Sequence, residues 1–255
     1  MVTSLGTNPD ESSTLQIREI QELSISISAQ KLNPTMLSED FLKASGIIPG
    51  DWELNKQPVL NPNYAQVSFQ NGVSIATQPR NITFVETLKN LDAVQLPELV
   101  HRYIEKLPLA DYQGLSIGLK SVVPLSGGAN AARQYITQTL LAPGSWQEYG
   151  QAPVQAALNL VYQLEKCQLN LSINEARLQL PDQRYLPALL FSGNFNYEIT
   201  SNNGQERISQ LNQGIDEWKT DLEAFREIVS QRFLGQQESL FPERVIPAVP
   251  INPNS

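Results

Sequence analysis

The chain has 255 residues with one His, one Cys and a formal net charge of -8. One imidazole and one thiol build neither a Cys/His zinc cluster nor a disulfide, and leave few routes to a Ser-His or Cys-His centre. The acidic balance has the wrong sign for a protein whose main task is holding phosphate backbone.

Charged residues make up 17% of the chain, below the roughly 25% usual for soluble domains. Amides fill the gap, 24 Gln and 19 Asn. Much of the polar surface is therefore neutral, which suits subunit contact at least as well as free solubility. No run of 18 apolar residues is present, so no membrane-spanning helix is expected. The polar start lacks a basic stretch followed by an apolar one, and with the lone Cys167 this points to a reducing cytoplasm.

Residues 1–14 read as a disordered polar tail, and residues 236–255, with four prolines and no period, as an extended one. Leu240-Phe241 and Val245-Ile246 in the second tail are apolar enough to dock on a partner or on the body. Between the tails, period 2 and period 3.6 alternate. Leu23, Ile25 and Ile27 alternate with serines, predicting a half-buried strand. Pro34-Thr35 then opens a helix that ends at Ser45-Gly46. Residues 64–70 and 73–77 alternate around Asn71-Gly72, a two-residue hairpin signal. Residues 81–86 read as a third strand, and Pro97 opens a helix carrying Leu99, Val100, Tyr103, Ile104 and Leu107 on one side.

The order then recurs. Residues 115–123 read as a strand and 129–141 as a helix. Residues 154–164, 168–180 and 186–199 read as strands, the last with a bulge or bend at Gly193. Residues 205–234 read as one long helix. Two segments support the recurrence. Leu23-Ser24-Ile25-Ser26-Ile27 matches Leu115-Ser116-Ile117-Gly118-Leu119 at an offset of 92. Pro49-Gly50-Asp51-Trp52 matches Pro143-Gly144-Ser145-Trp146 at an offset of 94. Each Trp is expected to plug its helix onto the sheet edge, and a proline-led loop (Pro58, Pro153) follows each.

The fold expected is therefore α+β: a tandem duplication of a β-α-β-β-β-α unit with antiparallel sheets, over residues 15–110 and 111–235. Joining the two sheets edge to edge would remove an exposed edge. In element order the unit resembles the helix-grip class, a curved antiparallel sheet wrapped on a C-terminal helix, and its duplicated saddle-like variants. That resemblance is topological and implies no activity.

No catalytic, cofactor or metal site is assigned. His101 falls on the polar side of its helix, with Glu105 one turn on as its expected neighbour. Cys167 shares parity with Leu169, Leu171 and Ile173, so its thiol is expected on the core side. The loop 124–132, with Ser126-Gly127-Gly128, lacks both phosphate-binding fingerprints, and Ser126 is expected to cap the helix. The carboxylates, Asp182 and Asp221 among them, are scattered without metal-ligand spacing.

In the last helix Ile208, Leu211, Ile215, Trp218, Leu222, Phe225 and Val229 follow steps of three and four. Gly214 inside it fits close contact with the sheet rather than a free coiled coil. The leading functional expectation is a non-enzymatic cytoplasmic protein-interaction or assembly component, with a protein partner or self-association. One alternative is a module binding an apolar small molecule between the second sheet and the Trp218-bearing helix. Another is a nucleic-acid saddle, for which Arg80, Lys89, Arg133, Arg177 and Arg184 are the available cations. An enzyme working through carboxylates alone is the last.

Overall fold

A computed structural model describes residues 22–30, 32–180 and 183–235. The expectations for the two tails and for Asp182 lie outside these residues. Nine antiparallel strands form a single sheet, so the protein is a mixed α+β fold. In chain order the strands are β1 (Glu22–Ala29), β2 (Val59–Asn61), β3 (Tyr64–Ser68), β4 (Val73–Gln78), β5 (Asn81–Thr87), β6 (Tyr112–Pro124), β7 (Leu158–Gln163), β8 (Gln168–Gln179) and β9 (Tyr185–Glu198). Their order across the sheet is β2-β3-β4-β5-β1-β6-β9-β8-β7.

Period-2 alternation assigns the two faces. Leu23, Ile25 and Ile27 of β1 pair with Leu119, Ile117 and Leu115 of β6, and all six side chains are buried. One core-facing row runs outward from this seam on both sides, buried except at its half-buried end, Tyr162. On one side it passes Phe84, Ile75 and Val67 from Ile25; on the other, Phe195, Leu169 and Tyr162 from Ile117. Burying these apolar rows under helices contributes most of the fold's stability.

The helices are α1 (Glu39–Ala44), α2 (Leu96–Lys106), α3 (Ala131–Gln134), α4 (Gly204–Asp216) and α5 (Trp218–Glu227). Helix α2 lies over β1 and β5, α4 and α5 lie over β6, and α2 touches α4. Pro97 sits in the first turn of α2, where its missing N–H is not needed. The two N–H groups that open α2, of Gln95 and Leu96, donate to the buried Glu86 Oε2 at 3.0 and 2.9 Å. A carboxylate from β5 thus satisfies donors that no side chain of α2 itself caps.

Several elements differ from expectation. The last helix is interrupted at Glu217, and its end winds as a π-helix over Ile228–Phe233. Its apolar stripe packs within the chain. A Cβ on Gly214 would meet Leu115 Cδ2 at 2.5 Å, so the backbone of α4 presses directly on β6. Gly193 is not a bulge: it pairs regularly with Leu119 and Leu171, and a Cβ there would stand 2.7 Å from Phe225 Cδ2. The glycine makes room for the Phe225 ring. The Asn71-Gly72 hairpin has a longer loop than two residues. Phe69 N–H donates to Val73 O, and Gly72 closes the turn onto Phe69 O with φ +95.

The segment after Pro34 is a short 3-10 turn, followed by α1, which is capped by Ser38 through Phe41 N–H. The helix expected over 129–141 is α3 followed by a π turn, Tyr135–Leu140. Its N-cap is Asn130 with no side-chain cap bond, so Ser126 does not cap it. Trp52 packs edge-on against Phe69, ring centroids 5.1 Å apart. Trp146 stays 41% exposed and donates from Nε1 to Ala142 O.

Candidate functional site: an open sheet face and an apolar cavity

The face turned away from the helices is laid out by strand register. One row crosses all nine strands: Val59, Gln66, Ala76, Thr83, Ser26, Ser116, Asn196, Gln168, Gln163. The next crosses eight: Ser68, Ser74, Val85, Ser24, Gly118, Asn194, Asn170, Val161. Neither row contains a charge. The nearest charged pair on this face is Lys120 with Glu22, 2.6 Å apart on neighbouring strands.

The side chains of these rows are small and partly satisfy one another. Ser26 Oγ lies 2.9 Å from Thr83 Oγ1. Asn196 Nδ2 donates to Asn194 O at 3.1 Å. Gly118 is needed at the middle: a Cβ would fall 2.3 Å from Ser24 Oγ and 3.0 Å from Asn194 Oδ1. The result is a hydroxyl and amide surface with no charge in either row. Arg80, Lys89, Arg133, Arg177 and Arg184 all lie outside the two rows, and Arg133 is engaged with Glu175 at 3.1 Å.

His101 does not pair with Glu105. Its Nδ1 lies 2.9 Å from Asn212 Oδ1 and its Nε2 3.0 Å from Asp216 Oδ1, so it bridges α2 to α4. Cys167 is buried on the core side, and burial, the first cause, together with the Asp221 charge pushes its thiol pKa up. A thiol held protonated in this way is a poor nucleophile. The Gly127-Gly128 loop leads only into the four-residue α3.

Asp221, one of the carboxylates scattered along the sequence, is buried with Tyr197. It is 4% exposed. The Tyr197 hydroxyl donates across both carboxylate oxygens, at 3.0 and 2.9 Å. Desolvation by burial raises the Asp221 pKa to about 7, against the hydrogen bond from Tyr197, which lowers it. The Lys166–Glu217 ion pair stands beside the group at the surface. Asp221 lies seven residues after Gly214, one heptad on, and Gly214 backs onto the same Tyr197 ring. That shared heptad position was the available signal. Among the described residues, no three His, Cys, Asp or Glu side chains are grouped to hold a metal.

An apolar cavity of about 310 Å³ opens in the first half of the sheet rather than beneath the last helix. It lies between the 3-10 turn, α1, the ends of β4 and β5, and the C-terminus of α2. Leu37, Phe41, Ile82, Tyr103 and Leu107 form its wall, with Met36 and Leu109 also lining it. The polar side chains are Asn33, Thr77 and Lys106, besides the Tyr103 hydroxyl.

The fold and these surfaces define an α+β protein built on one broad antiparallel sheet with an uncharged open face. No protein-family model and no curated protein matches the sequence. Among the described residues no helix is long and apolar enough to cross a membrane.

Proposed function

We propose that the chain is a non-enzymatic protein-interaction or assembly component whose contact surface is the open sheet face. The observation that carries this reading is the pair of charge-free rows. Charged residues are depleted at the cores of protein interfaces. The lone buried thiol agrees with work in a reducing cytoplasm, which fractionation of the source cells would check.

Sedimentation of the full chain, alone and in extract of its source cells, tests the proposal against an Asn170→Lys/Asn194→Lys variant. The expected result is a species heavier than the 28.4 kDa monomer that reverts to monomer in the variant, at unchanged melting temperature. Wild type sedimenting as a monomer in both settings would overturn it.

We also read the two halves, residues 15–110 and 111–235, as copies of one β-α-β-β-β-α unit with duplicated helix-grip-like topology. The register supports this. An offset of 92 equates Leu23 with Leu115 and Ile27 with Leu119, while pairing joins Leu23 to Leu119 and Ile27 to Leu115. The offset therefore carries the pair Leu23–Leu119 onto the pair Leu115–Ile27, the pattern of a two-fold axis between Ile25 and Ile117. A fragment ending at residue 110 should then self-associate through β1. A folded, monomeric fragment would count against the equivalence.

A further inference from the structure

We infer that the apolar cavity of the first half is a binding site for an aliphatic carboxylate, with the chain in the cavity and the head group between Tyr103 and Lys106. This stands apart from the open-face reading and uses none of its residues.

Tyr103 is 5% exposed, and its ring packs edge-on against Phe84 at 5.2 Å between centroids. Among the described residues its hydroxyl has no hydrogen-bond partner, although neighbouring polar groups are engaged. The Tyr112 hydroxyl donates to Leu107 O at 2.9 Å. Thr77 Oγ1 donates to Asn81 O and Gln78 O. The hydroxyl of Tyr103 is open to the cavity that the residue lines, where a ligand would supply an acceptor. Burial also pushes its pKa up to about 12, so it remains a donor.

The chemistry of the occupant follows from the lining. The wall is hydrocarbon, and ligand sites of this size class are mostly apolar with a few placed polar groups. Among the described residues Lys106 is the only charged one lining the cavity, and its Nζ has a 3.5 Å contact with Glu105. One phenolic donor and one ammonium match a single anionic acceptor at the end of an apolar chain. Leu109, 97% exposed in the turn after α2, extends the apolar surface to solvent.

Isothermal titration of the full chain with decanoate, below its micelle concentration, tests the site, with decanol and hexanoate as comparison ligands. Saturable one-to-one binding of decanoate is expected, at least about tenfold tighter than either comparison ligand. Tyr103→Phe should weaken decanoate about tenfold, the size of one lost hydrogen bond. Lys106→Met should bring decanoate to the level of decanol while leaving decanol unchanged. Both variants should melt within a few degrees of wild type, which separates lost binding from lost folding. Absence of saturable decanoate binding, or binding that neither substitution weakens, would overturn the inference. Equal affinity for decanol and decanoate in the wild type would overturn the carboxylate assignment.

Discussion

The Tyr197 hydroxyl sits astride the Asp221 carboxylate, 3.0 Å from Oδ1 and 2.9 Å from Oδ2, at the join between β9 and α5. The bond holds the helix to the sheet through a group whose charge the surroundings oppose. Burial lifts the Asp221 pKa to about 7, against about 3.9 for an unfolded aspartate. Between those values the folded state holds a proton that the unfolded state has released. Stability therefore falls as pH rises from about 4 to about 7, by up to roughly 1.4 kcal/mol per pH unit. Asp221→Asn removes the titration, so the variant should gain on wild type as pH rises from 5 to 8. Melting curves that stay parallel across that range would sink this assignment.

Glu86 reaches from β5 to the first turn of α2. Glu86→Ala leaves the N–H groups of Gln95 and Leu96 without their acceptor, the second of them buried. A loss of about 1–3 kcal/mol is expected in urea unfolding. Glu86→Gln keeps a carbonyl oxygen in place and should lose less. Equal losses for both variants would show that packing, not capping, carries the effect.

Gly193→Ala places a methyl 2.7 Å from the Phe225 ring and 3.2 Å from Leu169 Cδ1. Overpacking of this kind costs about 1–3 kcal/mol, enough to outweigh the usual benefit of replacing a strand glycine. Phe225→Leu should recover part of the loss in the double variant. Additive losses, measured by denaturant titration, would place the strain elsewhere.

His101 joins α2 to α4 through Asn212 and Asp216, at a partly exposed site. A double-mutant cycle of His101→Ala and Asp216→Ala should give a coupling below about 1 kcal/mol, as for other exposed pairs. A coupling of several kcal/mol would mean that the contact organises the helix pair rather than decorating it.

Strand positions were legible because alternation survives in a sheet buried on one face, except β2, three residues that fall in the proline-led loop expected after Pro58. The Leu23 and Leu115 segments are neighbours in the one sheet, which is the edge-to-edge joining that was expected. Pro97 marked the start of α2 correctly. The break at Glu217 was not legible, because the three-four stripe runs through it unbroken from Ile208 to Val229. Asp221 stood only as one scattered carboxylate, because its partner Tyr197 is supplied by a strand 24 residues earlier. The open face needed the register of every strand pair, and a one-residue slip would have exchanged its amides for the core. The cavity draws its wall from residues 32–41 and 103–110 with Thr77 and Ile82 between, a meeting that only the fold arranges.

The central seam also governs how the chain reaches its native state. Ile25 pairs with Ile117, 92 residues further along, and β6 then pairs with β9, whose Phe195 lies 78 residues beyond that. During synthesis β1 can meet β5 early, but its other edge stays open until β6 has emerged. Contacts this distant in sequence make loop closure a large part of the barrier, placing folding in the slow range of milliseconds to seconds or beyond. Stopped-flow refolding should show a phase that slows when Ile117 is cut to Ala and stays unchanged when Val161, on the far edge, is cut in the same way.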